Sequence, residues 1–182
     1  MDTKSNTISI NLSTNQTYAG IGSRQTPPKI LLAMTEVSKH LESIGYTLYS
    51  GGADGADSTF SNGCKNKIEF IPWKCFNNRS NGIIGDINDA MEIAKSLHPN
   101  WDKLSIGAKK LMARNCHQVL GMDLKSPVKF VICWTPDGAE TKTSHKTGGT
   151  GQAIRLANRN NIPVINMFNN DWKERLKTII GE

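Results

Sequence analysis

Glycine stands at the end of the strand-like runs of this chain, and that placement limits the folds open to it. Thr17-Tyr18-Ala19-Gly20-Ile21-Gly22 reads as a strand running into a turn. Tyr46-Thr47-Leu48-Tyr49-Ser50 is a β-branched and aromatic strand that ends in Gly51-Gly52-Ala53-Asp54-Gly55-Ala56-Asp57. Thr147-Gly148-Gly149-Thr150-Gly151 repeats the pattern ahead of a helix from Gln152 to Asn160. Glycine permits φ > 0 and lets backbone N–H groups come close to a ligand. A helix start behind such a turn adds a partial positive charge, and the two together make a phosphate cradle. A tight turn with packing glycines is the other reading of each loop.

The remaining segments complete an alternation. Lys67 to Trp73 reads as a third strand, the continuous apolar run Phe130-Val131-Ile132-Cys133-Trp134 as a strand covered on both faces, and Ile162 to Asn166 as a fifth. Between the first two strands, Ile30, Met34, Val37, Leu41 and Ile44 recur at helical spacing, opened by Thr26 and Pro27-Pro28 and stopped by Gly45. A short helix is expected from Ser58 to Gly63, and residues 74–121 read as a helical insertion with helices Ile87–Leu97 and Lys103–Leu120. A last helix carries Trp172, Leu176, Ile179 and Ile180. This order predicts an α/β fold: a Rossmann-like, doubly wound, mostly parallel five-stranded sheet with helices on both faces. Ligands of such sheets sit outside the carboxyl ends of the strands, where Gly22-Ser23-Arg24, Gly51 to Asp57, Thr135, Asp137 and the 148–151 glycines all fall. Residues 1–16 read as a flexible leader or an edge strand, and 17–182 as a single domain.

Composition narrows the class further. A chain of 182 residues with 37% hydrophobic content can bury a core, which excludes disorder as its main state. It has neither a long apolar run nor the basic and apolar regions of a signal peptide, so a soluble, cytoplasmic protein is expected. Lys and Arg number 22 against 16 Asp and Glu, a formal charge of +6 that favours an anionic partner. The surplus is unclustered, with Lys109-Lys110 the only basic doublet. Cys64, Cys75, Cys116 and Cys133 form no C-x-x-C, so neither a metal site nor a disulfide framework is expected, and no cofactor is implied.

Several side chains carry possible chemistry. Arg24 could clamp a phosphate or simply form a surface ion pair. Arg114-Asn115 sits in a helix otherwise patterned for burial, and Lys142, His145 and Lys146 give a loop donors that could close over an anion. Asp54 and Asp57 would repel a phosphate if aimed at it, and suit helix capping or ribose hydroxyls better. Trp73 and Trp134, at strand ends, could stack a base or pack in the core. There is no G-x-S-x-G or H-E-x-x-H, and His40, His98 and His117 have no readable partner.

These motifs resemble the SLOG superfamily, which unites the Rossmann domain of DNA-processing protein A (Smf) with the Lonely Guy phosphoribohydrolases. Tyr18 to Arg24 resembles its opening strand and turn, Ser50 to Asp57 its S-G-G-A-x-G-(I/A)-D signature, Arg114-Asn115 its R-N pair, and Gly148 to Ala153 its later glycine motif. The overall appearance is that of a single-domain DprA-like protein of the kind common in phages, which implies the host cytoplasm. The resemblance implies a ligand site made of Gly22, Ser23 and Arg24; of Ser50, Gly51, Gly52, Ala53, Asp54 and Asp57; of Arg114, Asn115 and Thr135; and of His145, Lys146, Gly148, Gly149, Thr150, Gly151 and Gln152. The Lonely Guy enzymes carry P-G-G-x-G-T-x-x-E, and aligning the glycines places Arg155 where their catalytic Glu would be. The expected function is therefore non-catalytic binding of an adenine- or NAD/ADP-ribose-derived phosphorylated molecule, as a sensor or an anti-defence sponge, in a homo-oligomer. Two alternatives stand beside it: an N-glycosidase in which Asp54, Asp57 or Glu140 supplies the acid, and a DprA-like binder of single-stranded DNA.

Overall fold

The structure is a computed structural model and describes residues 16–182; the expected leader or edge strand therefore lies, except for Gln16, outside the described residues. Five strands, β1 (Thr17–Gly20), β2 (Thr47–Ser50), β3 (Lys67–Glu69), β4 (Phe130–Cys133) and β5 (Val164–Asn166), form one sheet in the order β3-β2-β1-β4-β5. Every pairing is parallel, with Tyr18 opposite both Leu48 and Phe130. The helices are α1 (Pro28–Ser43), α2 (Ala56–Gly63), α3 (Ile87–Leu97), α4 (Ile106–Leu120), α5 (Thr150–Arg159) and α6 (Trp172–Ile180).

Alternation along the strands sends side chains into two separate cores. Tyr18, Leu48, Phe130, Ile132 and Ile165 point to one face and pack with Met34 and Leu41 of α1, Phe60 of α2 and Leu176 of α6. Ala19, Val131, Cys133 and Val164 point to the other and meet Ala90 and Ala94 of α3, Cys116 and Val119 of α4, and Ile154 and Leu156 of α5. The sheet is thus covered on both sides, as a continuous apolar β4 requires. Helix α4 is one of the covering layers, so the segment expected as an insertion supplies part of the core.

The boundaries that moved did so for local reasons. Thr26 does not cap α1; its hydroxyl donates to the Ser23 carbonyl at 2.7 Å and closes the turn after β1. Helix α2 begins at Ala56, before Ser58, because Gly55 turns the chain at φ +83°. Helix α4 begins at Ile106, with Ser105 as its N-cap accepting from the Ala108 N–H at 3.2 Å, and Trp101–Lys103 form a separate 3₁₀ turn. Gly20 has to be glycine, since a Cβ there would stand 2.7 Å from Leu48 Cδ1 and 2.8 Å from Phe60 Cγ.

Tyr18 is the aromatic centre of its core, stacked on Phe130 at 5.7 Å. Its hydroxyl is buried with no hydrogen-bond partner among the described residues, and burial pushes its ionisation well above the ordinary tyrosine range. An unmade bond of this kind costs about 1–3 kcal/mol. Tyr18→Phe is therefore expected to leave stability unchanged or to raise it by up to about that amount in urea unfolding; a clear loss would mean that the hydroxyl has a partner.

Candidate functional site

Strand order reverses between β1 and β4, and outside their carboxyl ends lies a cleft of about 600 Å³. Such a switch point is where ligands bind in open α/β sheets. Ile21 to Gln25 after β1 form one wall, Leu111, Met112, Arg114, Asn115 and Gln118 of α4 the opposite one, and Pro136 with His145 to Thr150 close the end nearest α5.

The cleft is organised from below by a buried ion pair. Arg114 of α4 and Asp57 of α2 are 6% and 4% exposed, with Nη1 3.7 Å from Oδ2. Asp57 Oδ1 accepts the Gly22 N–H at 3.3 Å, while the Arg114 guanidinium donates to the Gly51 carbonyl and, through Nε, to Asn115 Oδ1 at 3.1 Å. Asn115 in turn donates to the Gly149 carbonyl at 3.1 Å. One chain of contacts therefore links the turns after β1 and β2 to the start of α5. Burial pushes the Asp57 carboxyl up, against the pull of Arg114 and of the Ala53 and Gly22 N–H groups. Burial also pushes the Arg114 guanidinium down, with Asp57 opposing and the like charge of Arg24 adding to it. Burial thus works against the charged form of both partners, and their mutual attraction opposes it.

This network explains the first glycine loop. A Cβ at Gly51 would collide with the Arg114 guanidinium. At Gly55 it would stand 2.8 Å from Arg24 Cα and the Ser23 carbonyl, and at Gly52 it would stand 3.1 Å from Arg79 Cγ. These glycines face protein. The second loop differs: a Cβ at Gly148 meets nothing within 4 Å, and at Gly149 only Met112 Cε at 3.6 Å. The open turn ahead of α5 is held in place by Asp137, whose carboxylate accepts from the hydroxyls of Thr147 at 2.6 Å and Ser144 at 2.8 Å. Although burial works to raise the Asp137 carboxyl, these hydrogen bonds hold it below the usual carboxylate range.

Of the residues expected from sequence, Gly22, Ser23, Arg24, Ala53, Asp57, Arg114, Asn115, His145, Lys146, Gly148, Gly149 and Thr150 line the cleft. The others sit elsewhere. Ser50 is buried and donates to the Gly20 and Asp57 carbonyls; Gly51 and Gly52 lie beneath Arg114 and Arg79; Asp54 is exposed outside the cleft. Thr135 is buried against Asn166 Nδ2 at 2.7 Å, and Gly151 is buried in the first turn of α5. Gln152 is fully buried and donates to the Ala94 carbonyl at 3.0 Å. Arg155, at the position of the glycosidase acid, is half-buried on Thr143 and Gln152, outside the cleft lining. Glu140 is paired with Arg175 at 2.6 Å, leaving Asp57 as the acidic residue of the cleft wall.

Trp134 packs in the core at 7% exposure, whereas Trp73 remains 39% exposed, edge-on to Phe76 at 5.2 Å. His117 is buried under Phe70 with both ring nitrogens near backbone carbonyls, of Gly121 and Asp86. Three cysteines are buried and Cys75 is exposed. Sequence reasoning missed Gln118 and the apolar wall of Leu111 and Met112. Their signal is helical: 111, 114, 115 and 118 share one face of α4. Among the described residues no cluster of three His, Cys, Asp or Glu could hold a metal, and no helix is long and apolar enough to cross a membrane.

The fold and cleft define a Rossmann-like α/β protein with its candidate site at the topological switch point. No family model matches the chain, and no curated protein matches it in sequence. In structure it is similar to DNA processing protein A from Helicobacter pylori, described for its unique single-stranded DNA binding mode, with a TM-score of 0.53 and 21% identity. The match covers 89% of this chain and 71% of that one and shows the shared fold.

Removing one member of a buried pair strands the other. Arg114→Met is therefore expected to cost about 3–5 kcal/mol in urea unfolding. Adding Asp57→Asn should recover at least half of that loss, because no buried charge then remains; a double variant as unstable as the single one would show that the pair itself is stabilising.

Proposed function

We propose that the protein binds single-stranded DNA through this cleft, with a backbone phosphate at the first turn of α5 and the strand passing Arg24 and Lys146. The observation that carries the reading is the charge arrangement at the open turn. Arg24 and Lys146 are exposed at the cleft, and among the described residues neither is in an ion pair. Between them, Gly148 and Gly149 leave the start of α5 uncovered, where backbone N–H groups and the helix dipole favour an anion. The net charge of +6 adds a long-range attraction to a polyanion. The fold shared with a protein described as binding single-stranded DNA supports the same reading.

A second reading has its own observation. A cleft of about 600 Å³ is the size of a small-molecule site, so a free phosphorylated nucleotide derivative, including an adenine- or ADP-ribose-derived signal, would fit the same anion end. With Arg155 standing at the glycosidase position and Asp57 neutralised by Arg114, such a ligand would be held without cleavage of its N-glycosidic bond.

Anisotropy of a labelled single-stranded oligonucleotide across a salt series separates the two. DNA binding should weaken linearly in log salt, and Lys146→Ala should lower that slope by about one while weakening all sequences alike. A flat salt dependence, with displacement by a mononucleotide or by ADP-ribose, would instead select the small-molecule reading.

Gly149→Asp tests the anion end directly. Gly149 has φ −61° and ψ −27°, open to any residue, and Asp at a helix N-cap favours the helix. The variant should fold with unchanged or higher stability and lose at least about tenfold in affinity, since its carboxylate takes the place of the phosphate. Wild-type affinity would remove the first turn of α5 from the site.

A further inference from the structure

The cleft occupies the middle of the sheet's carboxyl edge, and the two ends of that edge carry a feature of their own. Among the described Phe, Tyr and Trp residues, two are exposed: Trp73 at 39% and Phe168 at 52%. Trp73 follows β3 and Phe168 follows β5, and these are the two outermost strands. One exposed aromatic ring therefore stands on each side of the cleft, beyond the carboxyl end of an edge strand.

Both rings are supported from beneath. Trp73 meets Phe76 edge-on at 5.2 Å, and Phe76 packs with Ala53 and Leu111, which line the cleft. Phe168 is tilted against Trp134 at 6.4 Å and covers Gly138, where a Cβ would stand 2.7 Å from Phe168 Cδ1. Gly138 follows Asp137, whose carboxylate holds the open turn ahead of α5. Neither ring is stacked on a neighbour among the described residues, which leaves ring surface for another flat group.

One exposed apolar side chain is ordinary on a protein surface. Two aromatic rings at the ends of one edge, with cations between them, make a more particular arrangement. Arg24 and Lys146 lie between the rings, in no ion pair among the described residues, and the exposed Lys74 adjoins Trp73. Asp54, the exposed acid on the loop between Trp73 and Arg24, is outnumbered by these cations. A single nucleic-acid strand is held by this combination, its bases on aromatic faces and its phosphates on positive charge. Five strands at a spacing of about 4.8 Å make the edge roughly 19 Å wide. A mononucleotide cannot reach from one ring to the other, whereas a chain of about four nucleotides can, which is the low end of the site sizes of single-strand binders.

We propose that Trp73 and Phe168 are stacking platforms for two bases of one DNA strand that crosses the whole carboxyl edge of the sheet, with its phosphates at Arg24, Lys146 and the start of α5 between them. This rests on the reading that the protein binds single-stranded DNA, and goes beyond it by fixing the length of strand held and the two residues outside the cleft that hold its ends.

The test titrates labelled thymine oligonucleotides of two, four, six and eight residues against the full chain by anisotropy. Affinity should rise steeply from the dinucleotide to a strand of about four to six residues and change little beyond. Trp73→Leu and Phe168→Leu keep apolar bulk but remove the flat ring, and each should weaken the eight-residue strand at least about fivefold, the range of one lost base–aromatic stack. The salt dependence should stay as it was, because no phosphate contact is lost. Stacking on Trp73 should also quench tryptophan emission, and Trp73→Phe, which keeps a ring, should retain affinity within about twofold while losing most of that quench. Wild-type affinity in either leucine variant, a quench that persists in full in Trp73→Phe, or a plateau already reached with the dinucleotide overturns the crossing while leaving DNA binding by the cleft intact. A change of mass in sedimentation equilibrium with affinity unaltered would assign the rings to a contact between copies, and the proposal fails. If no oligonucleotide binds, the DNA reading falls and the platforms fall with it.

Discussion

Arg114 and Asp57 meet where water cannot reach them, and three loops take their positions from that meeting. The Asp57 carboxylate holds the turn after β1 through the Gly22 N–H, the guanidinium holds the turn after β2 through the Gly51 carbonyl, and Asn115 extends the chain to Gly149. A buried pair of this kind is poor evidence of stability, because desolvation offsets the attraction between the charges. Its effect here is geometric. It spans α2 and α4, which cover opposite faces of the sheet, and it does so under the floor of the cleft at the point where strand order reverses.

Similar glycine motifs consequently serve different ends. At Gly51 and Gly55 the missing side chains make room for Arg114 and for the Ser23-Arg24 backbone. At Gly148 the missing side chain faces open space. The physical difference lies in what stands opposite each loop: a helix side chain and a neighbouring turn in the first case, the mouth of the cleft in the second. Exposed cations flank the open loop, while the packed loop surrounds an acid that is already paired. The cleft thereby separates a rim of exposed cations, unpaired among the described residues, from an inner wall where Arg114 and Asp57 offset each other.

Much of this could be read before any coordinates. A mostly parallel sheet followed from strands alternating with helices, and the covered β4 from an unbroken apolar run, since both signals are local and repeat along the chain; the structure makes every pairing parallel. Helix α3 was legible to the residue because Asp86 caps it and Pro99 follows it closely. The misjudged boundaries involve hydroxyl residues with a choice of partners. Thr26 bonds to a turn where a cap was expected, and Ser105 caps a helix expected to begin earlier. Gln118 was passed over because an amide within a buried helix face carries no local signal; its meaning comes from Asp57, which lies 61 positions away.

Sequence by itself determined the layer architecture, the sheet edge on which the unusual residues gather, and the positive charge, because periodicity, turn chemistry and ionisable residue counts are properties of the chain. Tertiary structure alone decided which of those residues face the cleft. It turned Gln152 and Thr135 into core hydrogen-bonding groups, placed Arg155 against Thr143, and set Arg114 in the cleft wall against Asp57. The reason is that a side chain's environment is set by segments distant in sequence. Residues on adjacent turns of one helix can meet a carboxylate, a carbonyl or open solvent, and only the packing of α2, α4 and α5 around the switch point assigns each its neighbour.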